Sequence, residues 1–175
     1  QHKDHIGGLD DVRPFNFIQH KAMPIYASSE AQNEIIKEYS YAFVEEDKRY
    51  PGSPSYNLIE IDGSPIVING ITIEPVEMNH FNMLCYAFRI GRFGYVTDLS
   101  YLSEEAFQKL TGIDYLVIEA LRKEPHYSHL CLSQAIDIAE KLNVRKTWFT
   151  HVGHRMGKAA EVNPALPANM MLAYD

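Results

Sequence analysis

The apolar residues of this chain recur with a period that changes several times, and each change marks an element. Ile6-Gly7-Gly8-Leu9-Asp10-Asp11-Val12-Arg13 reads as the start of a helix with Asp4 in its first turn, expected to stop where Pro14 interferes. Pro24-Ile25-Tyr26-Ala27 is a short strand. Ser29 and Gln32 then have the spacing of a capping box for a helix that buries Ala31, Ile35, Ile36 and Tyr39. The charged stretch Glu45 to Tyr56, with its Pro and Gly, is a surface loop and not a domain linker, because patterned sequence resumes at once.

From Asn57 to Met78 the period shortens to that of strands, with Asp62-Gly63 and Asn69-Gly70 at the positions of two-residue hairpin turns, so antiparallel sheet is expected. A further hairpin runs from Cys85 to Ile90 and Tyr95 to Thr97, around a turn containing Gly91 and Gly94, and leaves Asp98 at a strand end. Ser103 to Leu110 reads as a short helix and Tyr115 to Ile118 as a buried strand. Ser133 is the expected cap of a helix with Ala135, Ile138, Ala139 and Leu142 on one face. Lys146 to Thr150 is a strand that delivers His151, and the tail holds a short helix near Ala159, a turn at Pro164 and Pro167, and a last strand from Met170 to Tyr174.

Composition narrows the class without naming it. With 175 residues, 46% hydrophobic and 22% charged, the chain is expected to form one domain, 1–175, with a proper core. A net charge of -7 and a pI near 5.6 disfavour nucleic acid and anionic membranes as partners. Two cysteines, Cys85 and Cys131, fit a reducing, cytoplasmic compartment and read as small core hydrophobes, and no apolar run is long enough for a bilayer. The chain does not begin with Met and opens inside a dense polar motif, which suggests a piece of a longer protein.

That opening motif, Gln1-His2-Lys3-Asp4-His5, offers two imidazoles and a carboxylate from one short turn, a donor set suited to a transition metal. Polar residues just after expected strands are His80, Asp98, His126 with His129, and His151 with His154. Taken singly, each has an ordinary reading: a surface histidine at 80, a helix-capping residue ahead of Ser100 at 98, a hydrogen-bonded core histidine at 151. Together they supply the imidazoles and bridging carboxylate that two cations need. His20 and Lys21 fall outside the ordered set and read as solvated surface. Tyr41, Tyr50 and Tyr56 read as packing, and Arg13 and Arg122 are open to a phosphate contact, with pairing of Arg122 to Glu119 as the alternative.

The order of these residues resembles the metallo-β-lactamase fold superfamily. More closely, Asp4 to Phe15, Met23-Pro24-Ile25-Tyr26-Ala27, Tyr95-Val96-Thr97-Asp98, Thr150-His151-Val152-Gly153-His154 and Leu172-Ala173-Tyr174-Asp175 resemble the phosphoribosyl cyclic phosphate phosphodiesterase-like branch. The resemblance covers essentially the whole chain. It implies an α/β (α+β) fold, the αββα sandwich, here without the N-terminal strands and the first His of the family's H-x-H-x-D-H motif. It also implies two divalent ions, Zn or Mn with Fe as a further option, one held by His2 and His80, the other by Asp4, His5 and His151, with Asp98 bridging.

The chemistry implied is hydrolysis of a small, cyclic phosphate ester by a hydroxide on the two metals. His129, Asp4 and His126 are the residues expected to carry it. The stretch Glu124-Pro125-His126-Tyr127-Ser128-His129 resembles the family's Pro-His-x-x-His loop, whose last histidine approaches the substrate phosphate. That makes His129 the first choice for protonating the leaving oxygen and His126 the second, with a structural role equally open. His154 is expected to orient His151, with a substrate contact as the alternative. Other hydrolyses on the same fold stay open, of RNA, thioesters or lactones. So does a noncatalytic truncated domain that pairs its edge strands with a second copy as a homodimer.

Overall fold

The computed structural model describes residues 1–174, so Asp175, the end of the Leu172-Ala173-Tyr174-Asp175 stretch, lies outside the described residues. Contacts cluster into two compact units, Gln1–Asp62 and Gly63–Asp175. The architecture mixes helices and sheets, as the αββα resemblance implies.

In the first unit, α1 (Lys3–Ile6) is a single turn, a 3-10 turn covers Leu9–Val12, and α2 spans Arg13–Gln19. Pro14 therefore opens a helix where the sequence reading has it end one. In the first turn its missing N–H costs nothing and its fixed φ already suits the helix. Strand β1 (Met23–Ala27) pairs in parallel with β2 (Tyr56–Glu60), Met23 opposite Tyr56. The expected hairpin across Asp62-Gly63 does not form, because the partner of β2 is more than thirty positions upstream. Helix α3 (Ser29–Glu38) is capped by Ser28, one residue before the expected cap, through Ser28 Oγ accepting from Ala31 N at 3.2 Å. The Gln32 amide instead donates to the Ala27 carbonyl at 3.1 Å. Ile35 and Tyr39 are buried with Ala27 and Ala42, whereas Ile36 is exposed, one position off that face. Tyr56 packs against Tyr39 and Phe43, but Tyr50 is 77% exposed and packs nowhere in this core.

The second unit is a seven-stranded sheet in the order β3-β4-β5-β6-β7-β8-β9. Its strands are β3 (Ile66–Ile68), β4 (Ile71–His80), β5 (Met83–Ile90), β6 (Phe93–Val96), β7 (Tyr115–Glu119), β8 (Lys146–Thr150) and β9 (Met170–Leu172). The first four are joined antiparallel in chain order, and β6 to β9 are parallel. Asn69 (φ 50°) and Gly70 (φ 82°) make the left-handed two-residue turn that Asn-Gly favours between β3 and β4.

Helices α4 (Glu104–Leu110) and α5 (Leu132–Leu142) are the crossovers that parallel pairing requires. Cys131, not Ser133, precedes α5, and its N–H donates to the Gln134 side chain at 2.9 Å. The core between helices and sheet is built on Val96, Leu116, Ile118 and Phe149 from the strands, with Leu110, Ala135 and Ala139 from the helices. The tail adds α6 (Ala159–Val162).

Direction within this sheet fixes where polar residues converge. Because β5 runs opposite to both its neighbours, β4 points the same way as β6, β7 and β8. The C-terminal ends of these four strands, with that of β9 beside them, thus share one edge, the place where sites form in open α/β sheets.

Candidate metal centre

Each of those four strand ends carries a polar side chain. His80 is the last residue of β4, Asp98 lies just beyond β6, Glu119 is the last residue of β7, and His151 follows β8 directly. The strands differ in sequence, β4 alternating and β7 a buried apolar run, yet each delivers a polar group at or just past its last residue. The edge therefore gathers groups that would be costly to bury one by one. His80 (5%), Asp98 (8%) and Glu119 (0%) are nevertheless buried.

Two of these residues leave their strands through the left-handed region, Asp98 with φ 55° and His151 with φ 54°. Asp and His tolerate this better than bulky or branched residues, and such conformations concentrate at functional sites. The kink turns each side chain back over the strand ends. His151 Nε2 comes 3.4 Å from Asp98 Oδ1, and His151 Nδ1 comes 3.5 Å from Glu119 Oε2. After its kink the chain is tied down by Gly153 N donating to Leu121 O at 2.8 Å. A Cβ at Gly153 would stand 3.1 Å from that carbonyl, so the close approach depends on glycine.

His129 arrives from the loop between β7 and α5, which closes on itself. Leu121 N donates to Leu130 O at 3.0 Å and Leu132 N to Arg122 O at 2.8 Å. The Arg122 guanidinium donates to the carbonyls of Glu124 (3.2 Å) and Pro125 (2.8 Å), so it braces the loop rather than pairing with Glu119. The loop places His129 Nδ1 2.8 Å from Glu119 Oε2 and 3.6 Å from Asp98 Oδ1. His126 faces its own loop, its Nδ1 accepting from Ser128 N at 3.3 Å, and partial burial with Arg122 close by holds its pKa below the usual histidine value. Ring contacts continue the cluster, His80 to His129 at 4.7 Å and His129 to His151 at 5.2 Å between centroids.

Asp98, Glu119, His129 and His151 each offer a nitrogen or oxygen, and these atoms all lie within 4.8 Å of one another. The donor chemistry fits a divalent ion, but the four are not equivalent. Glu119 Oε1 already accepts from Leu99 N at 2.7 Å and Leu130 N at 3.4 Å, while Oε2 holds His129. Three of its acceptor sites thus serve protein donors, which ties Glu119 to His129 and leaves it less free than the others to meet an ion. Cys85 Sγ donates to the Asp98 carbonyl at 3.0 Å, and burial next to the Asp98 and Glu119 charges pushes its thiol up to about 12.

The remaining expected ligands belong to the first unit. His2 precedes α1 and its carbonyl accepts from His5 N at 3.0 Å and Ile6 N at 3.2 Å, which folds the H-x-D-H run into one exposed turn. Within it, Asp4 Oδ2 and His5 Nε2 are 3.6 Å apart. His154, expected to orient His151, is exposed, and the groups flanking His151 are Asp98 and Glu119. His20 is exposed, and Arg13 pairs with Asp10 at 3.6 Å.

The sequence reading considers Glu119 only as a partner for Arg122 and misses it as a member of this cluster. Its signal was available: Tyr115-Leu116-Val117-Ile118 is a buried run closed by a carboxylate, the same pattern that singles out Asp98.

A mixed sheet with histidines and carboxylates converging on one edge is the arrangement of the metallo-β-lactamase fold. The chain belongs to the beta-lactamase superfamily domain family, whose model matches residues 1–152. A solved diphosphatase from the PhnP family is 32% identical, with a TM-score of 0.85 over 96% of this chain and 63% of that one. Zinc-bound PqqB from Methylobacterium extorquens shares the fold at 13% identity, with a TM-score of 0.70 over 99% of this chain and 66% of that one. An octanoyltransferase from Porphyromonas gingivalis is 28% identical over 177 residues, which take in all of this chain and 35% of that protein. The chain thus spans about a third of its curated relative and under two thirds of the diphosphatase.

Proposed function

We propose that this protein is a metal-dependent phosphodiesterase acting on a small, cyclic phosphate ester. The observation that carries the reading is the convergence of Asp98 and His151 with the Glu119–His129 pair at the strand ends. The 32% identical relative described as a diphosphatase supports phosphate as the group attacked. Asp98, His151 and His80 are proposed as ligands from this edge, and His2, Asp4 and His5 on the motif alone. Two bound divalent ions, zinc or manganese, would supply an activated water and neutralise charge on the phosphate oxygens.

The protein's own part is proton placement. Glu119 accepts the Nδ1 hydrogen of His129, which leaves Nε2 as the ring nitrogen for a substrate oxygen. In its doubly protonated form the ring, with Nδ1–H held by the Glu119 carboxylate, can give the Nε2 proton to a leaving alkoxide without rotating first and is left as the neutral Nδ1–H tautomer. Burial of Glu119 keeps water from competing for that bond. Elemental analysis after reconstitution, together with hydrolysis of bis(p-nitrophenyl) phosphate, tests the reading. About two ions per chain, and activity lost in His5→Ala and Asp98→Ala, are expected; a reconstituted protein without metal overturns it. A second reading, cleavage of a phosphoric anhydride, is favoured by the diphosphatase relative. It predicts faster turnover of a diphosphate diester than of the aryl phosphodiester.

A further inference from the structure

The row of rings at the strand ends does not stop at the buried histidines. From His129 it continues to His126 at 5.2 Å between centroids, then to Tyr127, stacked on His126 at 4.5 Å and 28°, then to Phe81, edge-on to Tyr127 at 5.8 Å and 82°. Its inner end is buried or half-buried and its outer end is open: Phe81 is 59% exposed and Tyr127 76%. Two large aromatic side chains thus stand in solvent, Tyr127 two ring contacts and Phe81 three from the proposed proton donor.

Both are held there. Phe81 directly follows His80 at the β4–β5 turn and has φ 55°, a region bulky side chains rarely enter. Its N–H donates to Ser100 Oγ, and Ser100 Oγ donates to Asn79 O at 3.1 Å, which pins the turn to the loop that carries Asp98. Tyr127 sits in the loop braced by Arg122, its ring supported from behind by His126. Fixed, exposed, mutually perpendicular rings next to a phosphate site offer a planar group one face to stack on and one edge to abut.

We propose that Phe81 and Tyr127 form a stacking platform for a nucleobase, so that the ester hydrolysed is a nucleotide and not a simple sugar phosphate. The inference rests on the phosphodiesterase reading above and adds the substrate class. Stacking of one base on aromatic side chains accounts for about a tenfold or greater difference in affinity.

Isothermal titration of the purified protein, supplied with Mn²⁺, with AMP and with ribose 5-phosphate separates the two ideas. The expected result is AMP binding at least about tenfold tighter than ribose 5-phosphate. Phe81→Ala and Tyr127→Ala should each remove most of that preference and leave ribose 5-phosphate affinity nearly unchanged. Phe81→Tyr and Tyr127→Phe should restore it, and matching urea midpoints would show that the fold is intact. Equal affinities in the wild type, or equal losses for both compounds in the variants, overturn the platform while phosphate recognition stands. Failure of both compounds to bind overturns the platform and the phosphodiesterase reading together.

Discussion

Replacing Glu119 by Gln tests the assignment most sharply, because it changes one atom without changing volume. Glu119 Oε1 holds Leu99 N at 2.7 Å and Leu130 N at 3.4 Å, and Oε2 holds His129 Nδ1 at 2.8 Å. An amide has one acceptor oxygen and one donor nitrogen, so it cannot meet all three donors. Turning the NH₂ toward the backbone would leave two buried N–H groups without acceptors, at about 1–3 kcal/mol each. The amide oxygen should therefore stay with Leu99 and Leu130, and the NH₂ should face His129. The neutral imidazole must then accept at Nδ1 and carry its hydrogen on Nε2, and the doubly protonated ring that gives up the proton is disfavoured because its Nδ1–H has lost the carboxylate partner.

The charge-assisted bond is lost, worth about 1.5–3 kcal/mol, or roughly 10- to 150-fold if all of it acts in the transition state. Urea unfolding should show a stability loss within that range. Ring nitrogen shifts in ¹⁵N NMR should show the tautomer reversed. Turnover should fall more for an alkyl phosphodiester, whose leaving oxygen needs the proton, than for a p-nitrophenyl ester, whose leaving group does not. Metal content should stay at the wild-type level. If metal is lost with Glu119→Gln, Glu119 is a ligand and not an orienting group. Equal losses for both esters would refute His129 as the proton donor.

Other consequences follow from the same geometry. Adding metal to chelator-treated protein should raise its unfolding free energy by about 2.7 kcal/mol at a hundredfold excess over Kd, visible as a concentration-dependent Tm; an unchanged Tm would count against a ligand set at the strand ends. With the Cys85 thiol pushed up to about 12, its thiolate is scarce at pH 8, so iodoacetamide should label it slowly there and quickly only after unfolding or as pH approaches that value. Rapid labelling of folded protein at pH 8 would contradict the burial described. Gly94→Ala should destabilise by about 1–3 kcal/mol, because the new Cβ would stand 2.8 Å from Ile113 Cδ1 with Leu110 and Leu116 also close; a neutral denaturation midpoint would show that this core can yield.

Local rules carried the sequence reading a long way. The period of two, the Asn69-Gly70 turn and the polar residue closing each apolar run located β4, β6 and β8, and with them His80, Asp98 and His151. Local rules failed where one signal fits two outcomes, as at Pro14, which can open a helix as well as stop one. Cap positions moved by one or two residues, at Ser28 and Cys131, because several nearby residues could serve and packing chose among them.

What the sequence could not decide was pairing and direction. β2 looks like the first strand of a hairpin, yet its hydrogen bonds go to β1 in parallel, a choice between partners of similar local propensity that only the whole unit makes. The left-handed turns at Asp98 and His151 are likewise invisible in composition, since they follow from where the strands end against each other. Glu119 shows the division most plainly. Its position after a buried strand was legible. Its partnership with His129, ten residues away, exists only because the sheet sets β7 between β6 and β8 and the loop beyond it folds back over their ends.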